Sequence, residues 1–219
     1  MTGGGASRAR DSRELVPTIL IAASLLTLLL GAPTRGWAAT ATEELRRYTD
    51  RVIRVLQDPS LTSAARRAAV RDLAEEVFDV AETARRALGP HWPQRSQSER
   101  DEFVRVFHDL LEQTYLPHVD DYRGEWIRYV SERADREHAT VRAVVVTRLG
   151  LPVGVETRLL RKGERWQIYD VLIEKMSLVA TYRAQFDRVI RTSSYEDLIH
   201  RLKARVERLA HANALRADR

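Results

Sequence analysis

The sequence predicts an α+β fold: helices packed on one face of a four-stranded antiparallel sheet. Three observations carry this expectation. Apolar residues recur at helical spacing as far as Tyr115, four segments between Trp126 and Ile173 alternate or are β-branched, and helical spacing returns after Ser177. Helices first, strands next and helices last describe a layered domain whose sheet buries one face beneath helices.

Each element has its own signal. Thr40-x-x-Glu43 reads as a capping box and opens a helix with Leu45, Tyr48, Val52, Val55 and Leu56 along one side. Asp58-Pro59-Ser60 ends it. A second helix carries Leu61, Ala65, Ala68, Ala69, Leu73 and Val77, its alanines allowing close approach of a neighbour. Asp79 caps a short third helix that stops at Leu88-Gly89-Pro90, where Gly supplies the turn and Pro forbids continuation. Ser96-x-x-Glu99 opens a long fourth helix with Phe103, Phe107, Leu110, Leu111 and Tyr115 on one side, ending before Pro117. Strands are expected over Trp126–Arg133, Thr140–Leu149, Val153–Arg161 and Arg165–Ile173, and the hairpin-length links Gly150-Leu151-Pro152 and Lys162-Gly163-Glu164 make them an antiparallel meander. Unbroken alternation in the last strand puts Trp166, Ile168, Asp170 and Leu172 on one face and Tyr169, Val171 and Ile173 on the other. Leu178 to Arg191 forms a fifth helix. Ser193-x-x-Glu196 caps a sixth, with Leu198, Ile199, Leu202, Val206 and Leu209 on one face, and the polar residues after Ala210 are expected to fray.

The N-terminal segment stands apart from this pattern. Arg8, Arg10 and Arg13 precede an apolar run from Ile19 to Leu30, followed by Pro33 and the small residues Gly36 and Ala38. Residues 1–38 therefore read as a secretory signal peptide cleaved after Ala38, leaving residues 39–219 as a single domain. The run is shorter than the roughly 20 residues that span a bilayer, which disfavours an uncleaved anchor. The arginines are not adjacent, so twin-arginine export is not supported. With four arginines and two acids assigned to the signal, the remainder has 32 basic and 29 acidic residues, a net +3. Acids and bases interleave, as in Arg100, Asp101, Glu102 and Arg105, and no long basic block points to nucleic acid. The sequence has no cysteine, which excludes thiol nucleophiles, thiolate metal sites and disulfide staples.

The stretch WQIYDVLIEKMSLVATYRAQF, Trp166 to Phe186, runs from a strand directly into an amphipathic helix. It resembles the signature of the MlaC-type periplasmic phospholipid-binding family, also known as the toluene-tolerance or ABC-transporter auxiliary family. Further blocks resemble that family in its own order: Phe78-Asp79, Ala87-Leu88-Gly89 with Trp92, then Phe103, Phe107, Leu110-Leu111 and Tyr115, and last Tyr122, Gly124-Glu125 and Tyr129. The resemblance covers roughly Glu44 to Leu202. Lys175 stands where the family usually has Gly, and Thr181 where Asn is common. The first departure bears on the strand-to-helix turn, because Gly adopts positive φ at little cost and Lys does not.

The resemblance implies a periplasmic phospholipid carrier with acyl chains in an apolar cavity and the head group at its mouth. It also implies two partners, an inner-membrane ABC transporter with MCE-domain subunits and an outer-membrane lipoprotein complex. A monomer without cofactor or metal is expected. A sister branch associated with hopanoid lipids is the alternative within the family. Candidate lipid-binding residues are Phe103, Phe107, Leu111, Tyr115, Tyr129, Val144, Val146, Val155, Leu159, Trp166, Ile168, Leu178, Tyr182 and Phe186, with Arg183 and Lys175 as head-group candidates.

Plain core packing also accounts for such apolar stripes, in which case the chain would be a docking module with a filled interior. A small α+β pocket enzyme is the other rival, and Asp170 is its one candidate general base, against a structural role beside an arginine. There is no G-x-S-x-G elbow, H-E-x-x-H pair or phosphate-cradling Gly loop, and His118 with Asp120 and Asp121 reads as loop capping. No catalytic residue is assigned.

Overall fold

The computed structural model describes residues 39–217; the segment read as an export signal lies outside the described residues. Helix α1 spans Ala41–Gln57, α2 Ser63–Val77, α3 Val80–Leu88, α4 Gln97–Tyr115, α5 Leu178–Thr192 and α6 Tyr195–Ala217. The expected caps form. The Thr40 hydroxyl accepts from the Glu43 N–H at 3.1 Å while the Glu43 carboxylate accepts from the Thr40 N–H at 2.9 Å, and Ser96 with Glu99 repeats the arrangement on α4. Asp79 accepts from the Glu82 N–H at 3.0 Å to start α3. At the far end of that helix Gly89 takes φ +57°, and a Cβ there would lie 3.1 Å from the Arg183 side chain.

Two expectations near the C-terminus are corrected. The cap of α6 is Ser194, whose hydroxyl accepts from the Asp197 N–H at 3.1 Å, one residue later than Ser193. The helix also continues past Ala210 to Ala217, because the Asn213 side chain donates to the Gln113 carbonyl at 2.9 Å and ties that end to α4.

Strands β1 (Trp126–Ala134), β2 (His138–Val146), β3 (Pro152–Lys162), β4 (Arg165–Ile173) and β5 (Met176–Ser177) form one antiparallel sheet in sequence order. The sheet has five strands where four were expected. The fifth is only two residues long and folds back on Leu172 and Ile173. Its turn is Glu174-Lys175, with φ +48° and +69°, the paired positive angles of a two-residue type I′ hairpin. Lys175 thus holds the left-handed conformation that glycine would adopt without steric cost. β2 ends at Val146 and not Leu149, since the Thr147 N–H turns to the Leu151 carbonyl at 3.0 Å.

The decisive departure from simple alternation is a bulge in β4. Ile168 lies opposite Leu159 and Asp170 opposite Arg158, leaving Tyr169 as an extra residue. Residues directly opposite in an antiparallel pair share a face, so Trp166, Ile168, Val171 and Ile173 lie on one face and Asp170 and Leu172 on the other. The unbroken alternation expected from sequence is wrong beyond residue 168. α3 packs on the bulge: the Thr83 hydroxyl shares its one proton between the Asp79 carbonyl at 2.8 Å and the Tyr169 carbonyl at 3.1 Å, and the Arg86 guanidinium sits 3.9 Å over the Tyr169 ring.

The outer edge of β4 is closed by side chains and backbone from the helices. The Glu44 carboxylate accepts from the Trp166 N–H at 3.0 Å, and the Asp79 N–H donates to the Ile168 carbonyl at 2.8 Å. Asp170, 3 % exposed, then links the strand to α5 by accepting from the Ser177 hydroxyl at 2.7 Å and the Val179 N–H at 3.1 Å, with Arg158 3.5 Å away.

Two separate cores result. One lies between α1 and the sheet and contains Ala41, Leu45, Tyr48, Val77, Val141, Leu159, Trp166 and Ile168. The other is helical, between α3, α4, α5 and α6, and centres on Phe103, Phe107, Tyr182 and Phe186. Phe107 meets Tyr182 and Phe186 edge-on at ring separations of 5.0 and 5.5 Å.

Asp170→Ala is expected to lower stability by about 2–3 kcal/mol, because it strips two hydrogen bonds to a buried carboxylate and leaves the Val179 N–H in the first turn of α5 without its acceptor, Ser177 remaining as the cap. Lys175→Gly is expected to raise stability by about 0.5–1 kcal/mol, the relief of the left-handed cost less the added chain entropy. Thermal melting of both variants measures this, at roughly 2–4 °C per kcal/mol for a chain of this size.

Candidate functional site

A cavity of about 710 Å³ opens where the two cores do not meet. α2 supplies Val70, Arg71, Ala74 and Glu75 to one wall, and Phe78 and Val80 continue it. The second half of β4 supplies Val171 and Ile173, both turned to this side by the bulge. Leu111 and Tyr115 come from α4, and Leu178, Thr181, Tyr182 and Gln185 from α5. Phe78 and Val171 pack against the sheet core, while Leu111 and Leu178 pack against the helical core, so the cavity is the gap between two filled interiors. Its size falls within the roughly 300–1,000 Å³ of small-molecule sites. Ile173 and Tyr115 are about half exposed at its margin, at 53 % and 49 %, and Met176 more so, at 71 %.

Of the residues proposed from sequence, Leu111, Tyr115, Leu178 and Tyr182 line this cavity. Phe103, Phe107 and Phe186 are instead packed inside the helical core, and Leu159, Trp166 and Ile168 inside the sheet core, each 5 % exposed or less. Tyr129 packs against the sheet core and donates its hydroxyl to Thr49 at 2.9 Å. Val155 shares the sheet face of Leu159 but lies outside the cavity wall. Val144 and Val146 face the opposite way, beside the Arg142–Glu156 ion pair, because β2 is in register with β3 such that Ala143 and not Val144 meets Val155.

The two head-group candidates are also placed differently from expectation. Arg183 donates to the Arg86 carbonyl at 2.8 Å and packs over Gly89, so its charge closes the C-terminus of α3 and does not line the cavity. Lys175 is exposed in the β4–β5 turn between the marginal residues Ile173 and Met176, outside the lining set. The sequence reading missed the contribution of α2, whose mixture of small and charged residues has no strong apolar stripe, and that of Arg205. Arg201, Arg205 and Arg208 are spaced to share a helix face, a signal present in the sequence.

The polar groups of the wall are mostly committed. Arg71 donates to Glu112 at 2.6 Å, joining α2 to α4 across the cavity. Below it, Arg67 pairs with Asp120 at 2.6 Å, while His118 lies 2.8 Å from Asp121, so the His118, Asp120 and Asp121 trio is divided among separate loop contacts. Asp170 is taken up by its cap. No group of His, Cys, Asp or Glu among the described residues could hold a metal ion, and no described helix is long and apolar enough to cross a membrane.

Burial pushes the Tyr115 hydroxyl up to about 12; the Tyr182 hydroxyl adds to the shift and Arg205 opposes it. Burial, reinforced by Glu99 and Glu102, raises Tyr195 to about 12 as well. Both stay neutral in the fold where an unfolded tyrosine ionises near pH 10. Their contribution to stability is complete below about pH 10 and is lost as pH rises from about 10 to about 12. Thermal melting should therefore fall across that interval, and Tyr115→Phe should flatten part of the fall.

Comparison with known proteins agrees with this architecture. The family model described as MlaC protein matches residues 46–204. The intermembrane phospholipid transport system binding protein MlaC of Haemophilus influenzae is 21 % identical over 123 residues, 54 % of this chain; the match spans 58 % of that relative's length. A solved structure of the phospholipid-binding protein from Ralstonia solanacearum, in complex with a phospholipid, superposes with a TM-score of 0.69 at 27 % identity, covering 78 % of this chain and 99 % of that one. With the family model spanning most of the described residues, the chain belongs to the MlaC family.

Proposed function

We propose that the chain is a non-catalytic phospholipid carrier of the periplasm, exported by a cleaved signal peptide, that shuttles lipid between an outer-membrane lipoprotein complex and an inner-membrane MCE-domain ABC transporter. The observation that carries this reading is the 710 Å³ apolar gap between two independently filled cores. A site that must admit hydrocarbon without unfolding needs walls whose own packing is complete, and here each wall belongs to a separate core.

The energetics favour such a role. Each buried methylene is worth about 0.8 kcal/mol, so one chain of about 16 carbons resists entering water by roughly a dozen kcal/mol. Apolar transfer is non-directional, so the cavity needs volume and dryness more than detailed recognition. Membership of the MlaC family and the phospholipid held by the Ralstonia solanacearum protein support the lipid assignment. The enzyme alternative loses its one candidate base, since Asp170 is engaged by Ser177, Val179 and Arg158.

Solvent extraction and mass spectrometry of the purified protein should release phospholipid. Ala74→Trp, which places an indole in the cavity from α2, should abolish that lipid while holding the melting temperature within a few degrees. A protein that yields no lipid when purified from membrane-containing cells, or an Ala74→Trp variant that retains it, overturns the reading.

A further inference from the structure

A second depression, of about 420 Å³, lies between α5 and α6 and shares three wall residues with the cavity: Tyr182, Gln185 and Arg205. Its remaining lining includes His200, Arg201 and Arg208. Both depressions have largely apolar floors, of Leu110, Phe186, Val189 and Leu202 in this one, and what sets the groove apart is the three arginines that one helix face places on its rim.

The charges around the cavity single out one cation. Arg71 is paired with Glu112, His108 lies 3.5 Å from Asp109, and Asp170 is engaged by its cap, which leaves Glu75 and Arg205. Arg205 pairs with no carboxylate among the described residues, and neither does Arg208; Arg201 is held by Asp197 at 2.8 Å. An exposed arginine that stays uncommitted where an apolar cavity meets an arginine-rimmed groove is suited to an amphiphile with an anionic end, because its planar fork binds a phosphate through two parallel hydrogen bonds.

We propose that Arg205, with Arg208 and Gln185 beside it, receives the phosphate of a lipid whose chains occupy the cavity, the head group lying in the α5–α6 groove. This rests on the carrier reading above and assigns the head-group end of the same site, in place of Arg183 and Lys175. The chemistry recognised is a phosphate oxyanion, and its source is an ester attached to hydrocarbon.

The test uses purified, delipidated protein and two probes with the same labelled acyl chains, phosphatidylglycerol and diacylglycerol. Arg205→Gln should weaken phosphatidylglycerol binding about tenfold, the size of one charge-assisted contact at a partly exposed site, and leave diacylglycerol within about twofold. Arg205→Lys should restore part of the loss. Equal affinities of Arg205→Gln and the unaltered protein for phosphatidylglycerol, or equal losses for both probes, overturn the assignment while leaving the carrier reading intact. Binding of neither probe by the unaltered protein sinks both. Inorganic phosphate that binds through Arg205, together with lipid binding indifferent to Arg205→Gln, would show a free-anion site and also overturn it.

Discussion

The single constraint on which this structure depends is the pinning of β4 at its midpoint. A hydroxyl from α3 takes the Tyr169 carbonyl, and Asp170 is tied to the start of α5. With those contacts in place, the strand's first half seals one core and its second half lines a cavity. The two interiors can then be filled independently, which is how the protein keeps a large apolar gap without losing its fold. Close packing normally removes such voids because every unfilled volume forfeits contacts. Here the helical core is held by its own aromatic cluster and the sheet core by α1, so neither needs the other in order to close.

Charge pairs complete the enclosure where apolar packing is absent. α2 reaches α4 through Arg71 and Glu112, and reaches the turn at residues 116–121 through Arg67 and Asp120. Such half-exposed pairs contribute modestly to stability. Their value here is positional: they set the width of the gap with groups that do not fill it. Arg183 shows the same logic in another place, since a cation that resembled a ligand contact from sequence serves to finish α3.

Much of the fold was legible before any coordinates. Thr40 with Glu43, Asp79, Gly89, and Ser96 with Glu99 marked helix ends because capping is local chemistry, and period marked the strands because alternation is local geometry. The bulge was not legible. Nothing in Ile168-Tyr169-Asp170 announces an extra residue, and Thr83, which meets the Tyr169 carbonyl, is 86 positions away in the chain. The error then spread, since Val171 and Ile173 were assigned away from the face where the cavity lies. Val144 and Val146 were misplaced for a related reason, because pairing register is a tertiary outcome. Phe103, Phe107 and Phe186 were correctly seen as one apolar stripe, but a stripe alone does not say whether it faces neighbours or empty space. Arg205 escaped because it lies just beyond the stretch that resembles the family, although its spacing from Arg201 and Arg208 was visible.

The extra residue at Tyr169 has a consequence for how such a protein can diversify. Because the strand changes sides there, the positions that fill the sheet core and the positions that face the cavity lie largely on different stretches of the same backbone. Volume can be added or removed at Ile173, half exposed at the cavity margin, while Trp166 and Ile168 stay within the sheet core, so one lineage can reshape the cavity while inheriting an unaltered folding unit.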